Sequence, residues 1–186
     1  KKRFEYTPKD WRGGAYKVYS KDIIKEYPSV KTFKDIQPII KPCEAIYCTY
    51  IRHKGYDLSI KNSWQRLRAL AYEHKFEGYR EIGLQHDNPS ITPFKEGTYV
   101  ACIEVPRSFN KLSTFEIPES LCAVFPLKGE YGDVANLMRY VYHFWLPTSG
   151  YEAKTLPTYS IYNTNQYFNP NAEVDINFYL PISVAY

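Results

Sequence analysis

Apolar positions along the chain change period in a fixed order, and the order occurs twice. From about Pro42 a β-branched and aromatic run, Cys43–Ile51 (CEAIYCTYI), predicts a strand. It breaks at Lys54-Gly55-Tyr56-Asp57, where the aspartate is suited to cap a helix because its carboxylate accepts the unpaired amides of a first turn. Apolar residues then recur at three- and four-residue steps (Ile60, Trp64, Leu67, Ala71, with His74 on the same stripe), which predicts a helix ending near Gly78. Two strands follow, Tyr79–Gln85 and Thr98–Val105, the second closed by Pro106 because proline lacks the amide a ladder needs.

The second copy starts near Pro118. Ser120–Leu127 (SLCAVFPL) reads as a strand, and Lys128-Gly129-Glu130-Tyr131-Gly132-Asp133 repeats the turn and the capping aspartate. Val134, Leu137, Val141 and Phe144 form a helical stripe, widened by Met138 and Trp145 and stopped by Pro147 and Gly150. The strands Thr158–Asn163 and Val174–Leu180 lead to Pro181. Lys54 and Lys128 are 74 positions apart, and Pro106 and Pro181 are 75 apart. Residues 42–106 and 118–181 are thus two β-α-β-β units. One helix cannot cover its own sheet and edges, so pairing about a pseudo-twofold axis is expected, giving an α+β fold with an antiparallel sheet and helices on one side. A groove would lie between the copies, where ligand sites tend to form. Residues 16–40 are charged and irregular and read as a linker, with Asp35–Ile40 a candidate early strand.

Charge and composition narrow the function classes. Five cationic and two acidic side chains lie in residues 1–12, so three of the four net positive charges sit there. The body offers no basic stripe, and any DNA contact belongs to what precedes residue 12. Nineteen tyrosines supply surfaces that are both apolar and hydrogen-bonding, fitting either an aromatic core or a sticky, wettable pocket. Cys43, Cys48, Cys102 and Cys122 lie in strand-like sequence without a second pair at metal-ligand spacing, so free buried thiols in a reducing cytoplasm are expected, with no metal and no cofactor. No apolar run is long enough for a membrane span. No phosphate loop, nucleophile elbow or His-x-x-x-His pair is present, and the four histidines stand beside no obvious nucleophile, so no catalytic residues are assigned.

Seven stretches carry a family resemblance: Tyr50–Asp57 (YIRHKGYD), Tyr79–Pro89 (YREIGLQHDNP), Tyr99–Pro106 (YVACIEVP), Leu127–Tyr131 (LKGEY), Trp145–Gly150 (WLPTSG), Pro157–Tyr162 (PTYSIY) and Phe178–Ile182 (FYLPI). In this order they resemble the GyrI-like, or AraC effector-binding, domains, which implies duplicated SHS2-like modules over residues 41–186. Lys1–Arg12 (KKRFEYTPKDWR) looks like the end of an AraC-type helix-turn-helix domain, with Thr7 as a helix cap and Pro8 in its first turn, so residues 1–15 are assigned to that end. The combination implies the effector domain of an AraC-family transcription regulator. It would bind a small aromatic or amphipathic effector and touch DNA only through a preceding helix-turn-helix domain. A stand-alone protein acting on a protein target, as gyrase-inhibiting relatives do, and a hydrolase of strained cyclopropane compounds are the alternatives.

The same resemblance nominates site residues. Many relatives carry a glutamate three residues after the proline of Pro157–Tyr162, as counter-charge for lipophilic cations; this chain has Ser160. A hydroxyl offers only neutral hydrogen bonding, which favours a neutral or mixed polar-aromatic ligand. Ser160 and Tyr162 share a strand face, and Trp145, Tyr99 and Tyr179 join them by analogy, with a purely structural role open for each aromatic residue. Glu104 corresponds by repeat to Tyr179. It supplies the charge that Ser160 lacks if it faces the groove, and is a solvated surface glutamate if it does not.

Overall fold

The computed structural model describes residues 5–25, 31–34, 36–130 and 132–185. At the N-terminal side lie α1 (Pro8–Asp10), a π-helical turn (Trp11–Ala15) kinked at Gly14, and α2 (Tyr16–Ile24). Thr7 caps α1: its hydroxyl accepts the Asp10 N–H at 3.2 Å and the Asp10 carboxylate accepts the Thr7 N–H at 3.2 Å. Then follow β1 (Ile39–Cys43), β2 (Ile46–Lys54), α3 (Ile60–Glu73), β3 (Glu81–Gln85), β4 (Thr98–Glu104), β5 (Thr114–Ile117) and β6 (Ser120–Glu130). The chain continues with α4 (Asp133–Tyr140), a π turn (Val141–Trp145), a 3-10 turn (Leu146–Thr148), β7 (Tyr151–Ala153), β8 (Thr158–Thr164) and β9 (Glu173–Val184).

All pairings are antiparallel, in the order β1-β6-β9-β8-β3-β4-β2-β5, with β7 beside β9. The repeats therefore meet at the central pair β3–β8, and each contributes three neighbouring strands. Their lead strands are exchanged: β1 precedes β2 but pairs with β6, and β5 precedes β6 but pairs with β2. The links from Cys43 to Ile46 and from Ile117 to Ser120 span three residues, at most about 10 Å. The strands they join, β1 with β2 and β5 with β6, stand six strand spacings apart, about 29 Å in a flat sheet. The sheet must curl to join them.

That curl closes the face that carries no helix. Ile46, Cys48, Ile82, Cys102, Cys122 and Tyr159 are buried there together with residues of β5 and β9. On the other face α3 packs over Tyr99, Ala101 and Ile103, while α4 and its π extension pack over Phe125, Ile176 and Phe178. Two helices on one face follow from the two helical stripes.

Several boundaries depart from expectation for identifiable reasons. α3 stops at Glu73, five residues before Gly78, in a Schellman arrangement: Lys75 takes φ 53° and the Phe76 N–H reaches the Ala71 carbonyl at 2.9 Å. β9 runs through Pro181 to Val184. The Pro181 carbonyl accepts the Lys154 N–H, so its nitrogen lies on that side too and no bond to β6 is lost. The expected strand from Cys43 divides into β1 and β2, and β5 arises in the stretch between the repeats. The early strand is Ile39–Cys43 rather than Asp35–Ile40, and Asp35 itself lies outside the described residues, as do Lys1–Phe4 and Tyr131. Asp57 accepts the Ser59 N–H at 2.8 Å one turn before α3, whereas Asp133 is the first residue of α4 and accepts the Glu130 N–H at 2.8 Å. Among the described residues no helix is long and apolar enough to cross a membrane, and the four cysteines are free thiols.

Candidate ligand-binding site

A row of directly paired residues crosses the helix-bearing face: Ile51, Ala101, Gly83, Ser160, Phe178 and Phe125. Side chains are large at the flanks, where α3 and α4 sit, and nearly absent at the centre, where Gly83 meets Ser160. This leaves a groove over β3–β8. Ile60 of α3 forms one wall and Val134 and Ala135 of α4 form the other, with Gln85, Tyr99 and Tyr162 rising from the sheet and Tyr56, Gln166 and Tyr167 at the rim.

Two tyrosines fill most of the space. Tyr99 pairs across from Gln85 and Tyr162 from Glu81, so they approach Gly83 from opposite ends of the strands. Their hydroxyls meet at 2.9 Å. A Cβ at position 83 would collide with the Tyr99 hydroxyl and come within 3.0 Å of the Tyr162 ring, so glycine is what lets the pair lie flat. Trp64 of α3 stands edge-on to both rings, with centroids 6.4 and 5.5 Å away. Burial raises both phenols, Tyr162 to about 12 and Tyr99 well above its usual value, so both hydroxyls stay protonated. The free volume left is about 40 Å³, room for a few waters at about 10–15 Å³ each.

Four polar side-chain atoms are buried here without a hydrogen-bond partner among the described residues: Trp64 Nε1, Gln85 Oε1, Ser160 Oγ and Gln166 Oε1. Trp64 and Ser160 are wholly buried and the glutamines nearly so. The Glu81 carboxylate sits beyond Tyr162 and is already committed. It receives Arg68 Nε at 2.6 Å, Arg68 Nη2 at 3.0 Å and Asn165 Nδ2 at 2.8 Å, and the same guanidinium stacks 3.5 Å from the Phe168 ring centre. Among the described residues lining the groove, none is charged.

The residues nominated from sequence divide between the two faces. Ser160 lies buried, directly paired with Gly83, on the same face as Tyr162 and Tyr99, which line the groove. Glu104 and Tyr179 lie on the opposite face with Cys48 and Cys102, so neither reaches it. Glu104 receives Arg80 Nε at 2.6 Å and Nη2 at 2.7 Å, which holds its carboxyl below the usual range, and Tyr179 stacks on Tyr159 at 4.7 Å. Strand alternation accounts for this, because Glu104 shares parity with Cys102 while Tyr99 has the other. Trp145 packs against Phe125 at 5.1 Å in the core beneath the π turn, away from the groove. Gly83, Gln85, Gln166 and Trp64 were not nominated. Only the strand register, which the sequence does not display, puts Gly83 and Gln85 near Ser160, and Gln166 follows β8 in a turn.

One wall of the groove has a second attachment. Four residues beyond Ala135, α4 receives α2: Arg139 Nε donates to Ser20 Oγ at 3.1 Å, and its Nη2 donates to the Lys17 carbonyl at 3.3 Å. His143 Nδ1 lies 3.0 Å from the same Ser20 hydroxyl, with Tyr16 edge-on at 4.9 Å. Burial, with Arg139 and Lys17 close by, pushes the His143 imidazole down to about 4, so it is neutral at physiological pH.

Comparison with known structures gives the same fold. The EcmrR C-terminal domain superposes with a TM-score of 0.60 at 19% identity, covering 81% of this chain and 99% of that one. EcmrR in the EcmrR–DNA complex of EcmrR-RPo superposes at 0.64 and 14% identity, covering 95% of this chain and 69% of that one. A structure described as a hydrolase from Listeria innocua superposes at 0.58 and 15% identity, covering 89% and 98%. No curated protein matches the sequence. Residues 36–183 match the family described as GyrI-like small molecule binding domain, which takes in both repeats and the whole groove. The chain belongs to the GyrI-like family.

Proposed function

We propose that this chain is the small-molecule-sensing effector domain of an AraC-family transcription regulator, acting in the cytoplasm and binding its effector in the groove over β3–β8. The observation that carries the reading is the shared helix. α4 lines the groove through Val134 and Ala135 and, within the same helix and its π extension, holds α2 through Arg139 and His143. An effector that moves α4 therefore acts directly on the segment leading toward the N-terminal side. Ligand binding shifts a conformational balance only by contacts that differ between its states, and a wall shared by groove and α2 supplies such a difference. Membership of a small-molecule-binding family and similarity to a protein seen in a complex with DNA support the reading.

A hydrolase has less support. The Ser160 hydroxyl has no basic partner among the described residues, and general acid-base work needs a group able to exchange a proton near neutral pH. The test is the intact gene product. The sequence preceding Lys1 should encode a helix-turn-helix domain, and the intact protein should retard DNA carrying its own promoter in a gel-shift assay. A product with no DNA-binding domain and no such retardation overturns the regulator reading.

A further inference from the structure

Every buried side-chain nitrogen or oxygen that lacks a partner among the described residues belongs to one small region. Two are acceptors, Gln85 Oε1 and Gln166 Oε1; one is a donor, Trp64 Nε1–H; one, Ser160 Oγ, can be either. An unsatisfied buried polar atom costs about 1–3 kcal/mol, and native interiors contain few. Gln85 and Gln166 line the groove, while Ser160 beside Gly83 and Trp64 against the two tyrosine rings border it, so the four make a recognition surface whose partners come from outside the chain. Their character is neutral throughout. Glu81 already accepts three N–H groups, and among the described residues that line the groove none is charged, so a cation entering it would find no counter-charge. An anion would find no cation, because Arg68 is held by Glu81 and stacked on Phe168. An ion left unpaired in such a site is strongly disfavoured.

We propose that the groove takes an uncharged, flat ligand carrying both a hydrogen-bond acceptor and N–H donors, an amide, lactam or urea group on an aromatic body. This rests on the groove being the effector site and fixes the effector's class. The carbonyl faces Trp64 Nε1 and the N–H groups face the glutamine oxygens. The ligand enters by lifting the Tyr99–Tyr162 pair off Gly83, because about 40 Å³ of free space admits no aromatic ring. The two hydroxyls bond to one another, Tyr162 bonds to Gln166 as well, and the floor beneath the rings is a glycine, so lifting them breaks few polar contacts.

Benzamide, benzamidinium and benzoate have nearly the same shape and differ in charge, so they separate the possibilities. The reporter is the Trp64 indole N–H in an NMR spectrum of the whole chain, one of three tryptophan signals, assigned with Trp64→Phe. Benzamide should shift that signal and bind at least tenfold more tightly than either ion. Gln85→Leu and Gln166→Leu, with the dispersed spectrum confirming folding, should each weaken benzamide severalfold. Tighter binding of benzamidinium or benzoate with the Trp64 signal moving overturns the neutral class and leaves the groove as effector site. Probes that bind while only signals outside the groove respond overturn both. No response to any probe at millimolar concentration also overturns the proposal, leaving the four polar atoms as a site for buried water.

Discussion

Gly83 carries more of the groove than its size implies. Its backbone is ordinary extended strand; what the position requires is empty space. In Gly83→Ala the new methyl meets the Tyr99 hydroxyl and the Tyr162 ring, and both must lift or the strand must shift. Overpacking of this kind typically costs about 1–3 kcal/mol. The expected outcome is a lower urea midpoint with an unchanged far-ultraviolet dichroism spectrum. An unchanged midpoint would show that the tyrosines have other room. The residue was invisible as a site from sequence, because an isolated glycine in a strand has many uses. Ser160 was legible by comparison with a family pattern, and its structural meaning follows only from having Gly83 as its neighbour.

At the level of elements, two charged pairs of similar geometry ought to differ in worth. Arg68–Glu81 fastens α3 to β3, with the carboxylate only 12% exposed; Arg80–Glu104 lies on the other face with 42% and 35% exposure. Exposed pairs contribute about 0–1 kcal/mol, whereas hydrogen bonds to a charged group with little solvent are worth about 1.5–3 kcal/mol. Glu81→Gln should therefore lower the chemical-denaturation midpoint clearly and Glu104→Gln barely; equal effects would show that burial does not separate them. The α2–α4 contact carries a pH dependence. His143 is depressed in the docked state, so docking stability is full above the ordinary histidine value of 6.5 and is lost as pH falls toward about 4. Thermal unfolding between pH 7.5 and 5 should show a larger loss of stability in the wild type than in His143→Gln, and parallel curves would exclude the histidine as the cause. The repeat, both helices and the three main strands of each copy were legible because amphipathic periods leave their mark on a single chain, whereas β5 and the sheet order were not. Nor were the element ends. A lysine took the left-handed position expected of glycine, and Pro181 stayed inside β9, since both outcomes depend on which neighbours supply or need a hydrogen bond.

Across the whole molecule the exchange of lead strands decides how the two repeats depend on one another. Each repeat buries its first long strand with an edge supplied by the other, β1 on β6 and β5 on β2, and both short links cross at the curled end of the sheet. The buried face opposite the helices is built jointly, with Ile46 and Ile117 in the same cluster as Cys122 and Tyr179. Neither repeat alone has a closed sheet, a covered inner face or a complete groove. Unfolding should therefore be one transition despite the duplicated sequence. Trp64 lies in the first repeat and Trp145 in the second, so variants retaining one tryptophan each report on one repeat. Their fluorescence midpoints in urea are expected to move together in response to a common destabilising change such as Gly83→Ala, and to coincide with the far-ultraviolet midpoint of the same variant. If Gly83→Ala shifted the Trp64 transition and left the Trp145 transition in place, the repeats would be folding as separate units.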